Sequence, residues 1–291
     1  MRRLVKWFTA PALVMLLSIA LVAAGYQHLL QAPQTTISLG QAARQQANLR
    51  ASRPVAEAKR RQIAEADLRT LTVASGQTAR LVKRAGVGRV AVPSVGISLP
   101  IYNQINDNTL STGTAMYYPE RRLGRGNTAL VAHHYLQGSG LLNALNHVKR
   151  GATILASDLN TVWTYRVAVN QVVSKDQVSV LTDTSDARIT LIRCEGPRGT
   201  TLRRVVIGLL VSRAPLKQTA QAKPLGVTTH QPSKKPATPV TLTTAALART
   251  VAQRRLDGWL WGLVLVNLVL LLGCSAGYVF AKGPRRPQRP R

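Results

Sequence analysis

Apolar and polar positions divide this chain into three textures. Trp7 to Leu30 and Trp259 to Ala281 are apolar on every face and contain no full charge. At ~1.5 Å per residue, a helix over either run is long enough for the ~30 Å hydrocarbon core of a bilayer. Next to each run lies polar, low-complexity chain. Gln31 to about Lys83 is Ala/Gln/Arg-rich, with helix formers over Val55–Leu71, and predicts a helical or partly disordered stalk. Arg213 to about Gln253 carries Pro215, Pro224, Pro232, Pro236 and Pro239 and predicts a linker.

The centre, Gly86 to Ser212, has a third texture of short Val/Ile/Thr/Tyr runs between Gly, Asn, Asp and Pro. Predicted strands are Arg89–Val92, Ile97–Tyr102, Asn127–His133, Ala152–Ser157, Thr161–Val173, Ile189–Cys194 and Arg203–Val211. Strict alternation puts Trp163, Tyr165, Val167 and Val169 on one face. One helix is predicted, capped by Ser139, with the stripe Leu141, Leu142, Leu145 and Val148, ending at Gly151. Many short strands with little helix indicate a closed all-β barrel of about 125 residues. The expected organisation is a basic N-terminus and anchor over 1–30, a stalk over 31–84 and the barrel over 85–213. A linker over 214–257, a second span over 258–281 and a basic tail over 282–291 follow.

Charge adds an orientation. The chain has 39 Lys plus Arg against 11 Asp plus Glu, a net +28. Arg2, Arg3 and Lys6 precede the first run, and Lys282, Arg285, Arg286, Arg289 and Arg291 follow the second. Basic flanks stay cytoplasmic, so both termini are expected inside and the middle outside, with Arg254 and Arg255 as exceptions. A cleaved signal peptide competes for the first run, because Val22-Ala23-Ala24 supplies small residues. The run is longer than the apolar core of such peptides, which favours an uncleaved anchor. A hydrophobic fraction of 45% excludes a disordered basic tail. Two distant cysteines exclude a disulfide framework or a zinc finger. Nucleic-acid binding is not expected, because no strand interleaves aromatic and basic residues.

Cys274 falls in the second apolar run, so Cys194 is the one cysteine expected outside. Nucleophilic cysteine chemistry needs a thiolate, an imidazole to move a proton and donors for an oxyanion. Cys194 ends one predicted strand and His133 ends another, and both are expected at the barrel rim. His147 sits on the predicted helix and reads as a surface or packing residue. No carboxylate lies near His133 in sequence.

These residues carry a resemblance. Thr190-Leu191-Ile192-Arg193-Cys194 resembles the Thr-Leu-x-Thr-Cys signature of the sortases, and Arg203 follows nine residues after the cysteine, opening an apolar strand. Ala129-Leu130-Val131-Ala132-His133 matches the strand bearing the family's histidine. Asp107–Gly113 and Asp176–Leu181 match further segments of class A members. The resemblance implies an eight-stranded barrel in a membrane-anchored cysteine transpeptidase of Gram-positive bacteria. Such an enzyme cleaves a Leu-Pro-x-Thr-Gly signal after Thr and joins the Thr carbonyl to an amine of peptidoglycan or lipid II. It implies Cys194 as nucleophile, His133 as general acid then base, and Arg203 as the group holding the substrate backbone and oxyanion. Val178, Val180 and Leu181 match the loop shaping the Leu-Pro pocket. No cofactor is implied, and nothing in the sequence supports Ca²⁺ control around Asp176.

The chain departs from the pattern at Arg193, where the family usually has Thr, and at Ala132, where Gly or Ser commonly stands. The doublets His133-His134 and Arg203-Arg204 leave room for an offset of one, although alternation admits only one member of each to the cleft. A pilin-polymerising class C sortase is the family alternative, and no Asp-Pro-aromatic lid motif precedes the barrel. A catalytically silent, basic wall-binding protein is the alternative outside enzymology.

Overall fold

A computed structural model describes residues 41–54, 68–134, 140–197, 199–216 and 222–228, with residues 37–38 and short stretches of the two apolar runs. The chain divides into two compact units, one of residues 29–237 and one of residues 1–28 with 238–291. In the second of these, residues 12–13, 15–17, 20, 265–269 and 272–273 are helical. Most of both expected spans lies outside the described residues. Among the described residues no helix is long and apolar enough to cross a membrane.

Among its described residues the larger unit holds ten strands: β1 (Ile37–Ser38), β2 (Gly86–Val92), β3 (Ile97–Tyr102), β4 (Thr114–Met116), β5 (Asn127–Val131), β6 (Thr153–Ser157), β7 (Thr161–Ser174), β8 (Arg188–Cys194), β9 (Leu202–Pro215) and β10 (Val227–Thr228). Eight close into a barrel in the order β2-β3-β4-β5-β8-β9-β7-β6, while β1 and β10 form a separate two-stranded ribbon. All seven predicted strands are present. The eighth, β4, is three residues long, too short to leave a readable alternation.

Every residue of β2 is buried, because both of its faces are covered. Inside the barrel Val90, Leu99, Leu130, Ile154, Tyr165, Ile189, Leu191 and Val206 form one core. Full burial of each such aliphatic side chain contributes ~1.5–3 kcal/mol. Outside, Ala91, Tyr102, Leu110, Leu155, Val162 and Leu225 form a second apolar layer. That layer lies under helices α1 (Ala42–Arg50), α2 (Leu68–Ala85) and α3 (Asp107–Thr112). In α2, Ala74, Thr78, Val82 and Ala85 are buried, a stripe at helical spacing. The segment expected as a stalk therefore packs on the barrel over its described parts. The predicted helix start over 55–67 lies outside the described residues. Leu216, Leu225 and Val227, from the expected linker, are also buried.

Two local expectations change. The predicted helix is a 3₁₀ turn, Asn143–His147, because Leu141 takes a φ of 52° that no helix continues through. Its apolar stripe Leu141, Leu142, Leu145 and Val148 is nonetheless buried. Ser139 lies outside the described residues. In β7, Val169 does not share a face with Trp163, Tyr165 and Val167. The pairing with β9 shifts register between Val167 and Val169, and a bulge there sends the later residues to the outer face.

Candidate active site

The site follows from three ladders. Strands β5 and β8 pair in parallel at constant offset from Asn127↔Arg188 to Val131↔Ile192. The Ala132 N–H still donates to the Ile192 carbonyl at 3.2 Å, so two residues further on His133 comes level with Cys194. Across the antiparallel β8–β9 pair, Cys194 is opposite Arg203, and across β9–β7 Arg203 is opposite Val173. Residues in one row of a sheet project to one face. His133, Cys194 and Arg203 thus share a face, on the outer wall at the strand ends rather than around the barrel's opening.

That face has an apolar floor. Val173, Ile192 and Val205 are buried there, with Val131 and Ile207 beside them and Val180 and Leu181 laid over them. The bulge in β7 is what delivers Val173 to this side. Val180 and Leu181 belong to a 3₁₀ turn, Val178–Leu181, and Val178 is 64% exposed, away from the cluster. The turn is held by polar bonds. Asn127 Nδ2 donates to the carbonyls of Val180 and Thr182 at 2.9 and 3.0 Å, and Thr190 Oγ1 donates to Asn127 Oδ1 at 2.7 Å. Arg121 Nη1 adds a bond to the Leu181 carbonyl at 2.9 Å. The Thr of the Cys194 signature therefore anchors the cover of the groove.

His133 is buried, and its N–H donates to the Leu110 carbonyl of α3 at 3.0 Å. Its Nε2 lies 3.4 Å from Asp107 Oδ1, whose side chain is half exposed. A carboxylate thus does reach the imidazole, against the expectation from sequence. Asn106 caps α3 in a reciprocal capping box with Thr109, which sets Asp107 in the first turn. Cys194 is half-buried and forms no disulfide. The Arg203 guanidinium is half-buried and donates through Nη1 to the carbonyls of Thr200 and Leu202, at 3.1 and 2.8 Å. Its remaining N–H groups make no hydrogen bond among the described residues.

The other face of the same strand ends carries an ion network. Arg193 is buried, donates to the Cys194 carbonyl at 2.7 Å and pairs with Glu195 Oε2 at 3.0 Å. Arg204, opposite Arg193, donates to the same Oε2 at 3.0 Å and to Asn170 Oδ1 at 3.3 Å. Asn170 in turn holds the Leu145 and Val148 carbonyls at 2.8 and 2.7 Å. The Arg204 hydrogen bond, joined by Arg193, keeps the Glu195 carboxyl below its ordinary range, while burial lowers the Arg193 pKa. The arginine doublet thus splits, Arg203 toward Cys194 and Arg204 toward Glu195. His133 and His134 divide likewise, with His134 in the field of Glu195. His147 is exposed on its turn. Among the described residues no cluster of three metal-ligating side chains exists.

Sequence reasoning missed Asp107, Asn127, Arg121 and Glu195 as parts of this site. Asp107 and Asn127 lay in segments already singled out; Arg121 reaches the site from a distant position and Glu195 from the opposite face.

Comparison with known proteins matches residues 90–211 to the model of the sortase domain. Sortase A of Listeria monocytogenes is 38% identical over 128 residues, 44% of this chain and 58% of that protein. Sortase A of Bacillus anthracis is 31% identical over 133 residues, 46% of this chain and 63% of its own length. The chain thus spans less than two thirds of either. The sortase-named protein YwpE of Bacillus subtilis is 34% identical over 92 residues, covering 32% of this chain and 90% of that one. The crystal structure of Listeria monocytogenes sortase A superposes with a TM-score of 0.47 at 34% identity, over 49% of this chain and 98% of its own.

Proposed function

The chain belongs to the sortase family, and from that premise we propose that its barrel is a transpeptidase acting through Cys194. The observation that supports this most is the row of His133, Cys194 and Arg203 on one face, above an apolar floor roofed by Val180 and Leu181. An extended Leu-Pro-x-Thr-Gly segment lies along that floor with its Leu-Pro part under the turn. Cys194 Sγ attacks the Thr carbonyl carbon, and Arg203 stabilises the oxyanion with donors that stay charged at any working pH. The C–N bond to Gly breaks as His133 gives its proton to the leaving amine, leaving a Thr thioester. An incoming wall amine attacks that thioester and passes its proton to His133 as the thiolate leaves. Asp107, 3.4 Å from Nε2, orients the imidazole.

The cellular setting proposed is a Gram-positive membrane with two spans, 7–30 and 259–281, both termini cytoplasmic and the barrel outside. It rests on the apolar runs and their basic outer flanks. The partners are surface proteins bearing the signal, and an amine of peptidoglycan or lipid II.

The test uses the full chain in detergent, a Leu-Pro-x-Thr-Gly peptide and a glycine amine. A Thr–amine product is expected from wild type and none from Cys194→Ala. Product from Cys194→Ala would overturn the assignment. Methanethiosulfonate labelling separates the silent wall-binding alternative, since it should reach the half-buried thiol and stop transfer together.

A further inference from the structure

A cavity distinct from the apolar floor opens beside Asp107, the carboxylate that reaches His133. It is a cleft of about 580 Å³ between α2 and the chain leading into α3. Gln77, Arg80 and Arg84 line it from α2, spaced to fall on one helix face, and Gln104, Asp107 and Asn108 line it from the opposite wall. Arg80 and Arg84 are exposed on the side of α2 away from its buried stripe. The lining is mostly polar, with Leu81 its apolar member, and two guanidiniums one turn apart face Asp107 and the amides of Gln104, Asn106 and Asn108.

Asp107 connects this cleft to the chemistry. It lines the cavity and lies 3.4 Å from His133 Nε2. The same short helix accepts the His133 N–H at Leu110. In the barrel order the cleft lies on the β3–β4 side of β5, and the apolar floor on the β8–β9–β7 side. A transfer enzyme needs such a separation. While the acyl group fills one flank, the second substrate has to approach the thioester and the imidazole from the other.

We propose that this cleft is the acceptor subsite and that it takes an amine carrying its own anionic group. The ammonium sits against Asp107 beside His133, where it can lose its proton. A carboxylate or phosphate a residue or two away is held by Arg80 and Arg84, whose planar donor forks suit anionic oxygens. Gln77, Gln104 and Asn108 bond the intervening peptide groups. The two arginines lie before the matched block of residues 90–211, so this selectivity belongs to the segment packed in front of the barrel. The net charge of +28 draws the same class of ligand from a distance.

This inference rests on the transpeptidase reading, and the experiment separates the two. The full chain is acylated with the sorting peptide, then offered triglycine, triglycinamide or aminoethyl phosphate. An anionic acceptor is expected to exceed triglycinamide by about tenfold in kcat/KM, as one charge-assisted bidentate contact provides. Whichever of triglycine and aminoethyl phosphate leads identifies the anion as carboxylate or phosphate. In Arg80→Gln/Arg84→Gln the advantage should fall to about twofold or less, while Arg80→Lys/Arg84→Lys keeps part of it. Equal use of charged and neutral acceptors by wild type, or an advantage that survives the glutamine variant, overturns the proposal. Binding of triglycine without sorting peptide, followed by NMR, tests the subsite independently of activity: it should weaken about tenfold in the glutamine variant. Absence of a thioester at Cys194 would sink the transpeptidase reading while leaving that binding result to stand or fall alone.

Discussion

The two faces of the β8 and β9 ends differ in how completely their polar groups are used. On one face Cys194, His133 and Arg203 sit over Val173, Ile192 and Val205, and Arg203 bonds only the carbonyls of Thr200 and Leu202 among the described residues. On the other, Arg193, Glu195, Arg204 and Asn170 bond one another and the carbonyls of the 3₁₀ turn. Those bonds tie the strand ends to the turn. In the proposed reading, the Arg203 donors beside the apolar trough meet the substrate. One strand therefore presents the proposed chemistry on one side and its ion network on the other, one residue apart.

This contrast can be broken most sharply with the arginine doublet. Arg203→Ala is expected to lower kcat/KM for transfer by about 100-fold or more, the scale of a lost oxyanion donor. Arg204→Ala should stay within about threefold in rate and show its effect in urea melts instead. Equal losses of rate in both would erase the distinction between the faces.

Glu195→Gln is expected to cost about 2 kcal/mol at pH 7, because a buried guanidinium loses its counter-charge. The pH dependence has a definite sign. The Glu195 carboxyl is held below its unfolded value, so its contribution is complete above the ordinary glutamate range. It disappears as pH falls from that range through the depressed folded value. The stability gap between wild type and Glu195→Gln, from denaturant melts, should therefore be full at pH 7 and narrow below about pH 4. A gap that widened on acidification would contradict the network as described.

Asp107→Asn should reduce the transfer rate by about tenfold while moving Tm little, since an exposed ion pair adds little to stability. A Tm loss with unchanged rate would make it a structural contact only. The smallest effect is expected at the groove cover. Leu181→Ala removes part of an incompletely buried side chain and should raise KM for the sorting peptide about fivefold with kcat nearly constant.

The proposed row of His133, Cys194 and Arg203 was legible because each stood at one end of a strand pattern and the family spacing joined them. The eight-stranded closure was legible only through that resemblance, since Thr114–Met116 is too short to show a period. Asp107 was not assignable to His133, because 26 residues of chain separate them and β4 with β5 decide the approach. The role of Arg193 was visible as half an answer. Alternation put it opposite Cys194, but its partner Glu195 and the turn it helps tie needed coordinates. Polar spacing over 31–84 resembled a free stalk because α2 buries small residues, Ala74, Thr78 and Ala85, which carry little hydropathy.

Local chemistry along the chain was enough to establish a β-rich centre between two apolar runs, and which cysteine, histidine and arginine stood at strand ends. Those features depend on periodicity and neighbours a few residues away, which any reader of the chain can see. Which flank of His133 receives which group, how the bulge turns Val173 outward, and where Asp107, Glu195 and the α2 arginines come to rest depend on pairings between distant segments. Such pairings are selected by the closing of the whole barrel around its core, and no short window of residues contains that information.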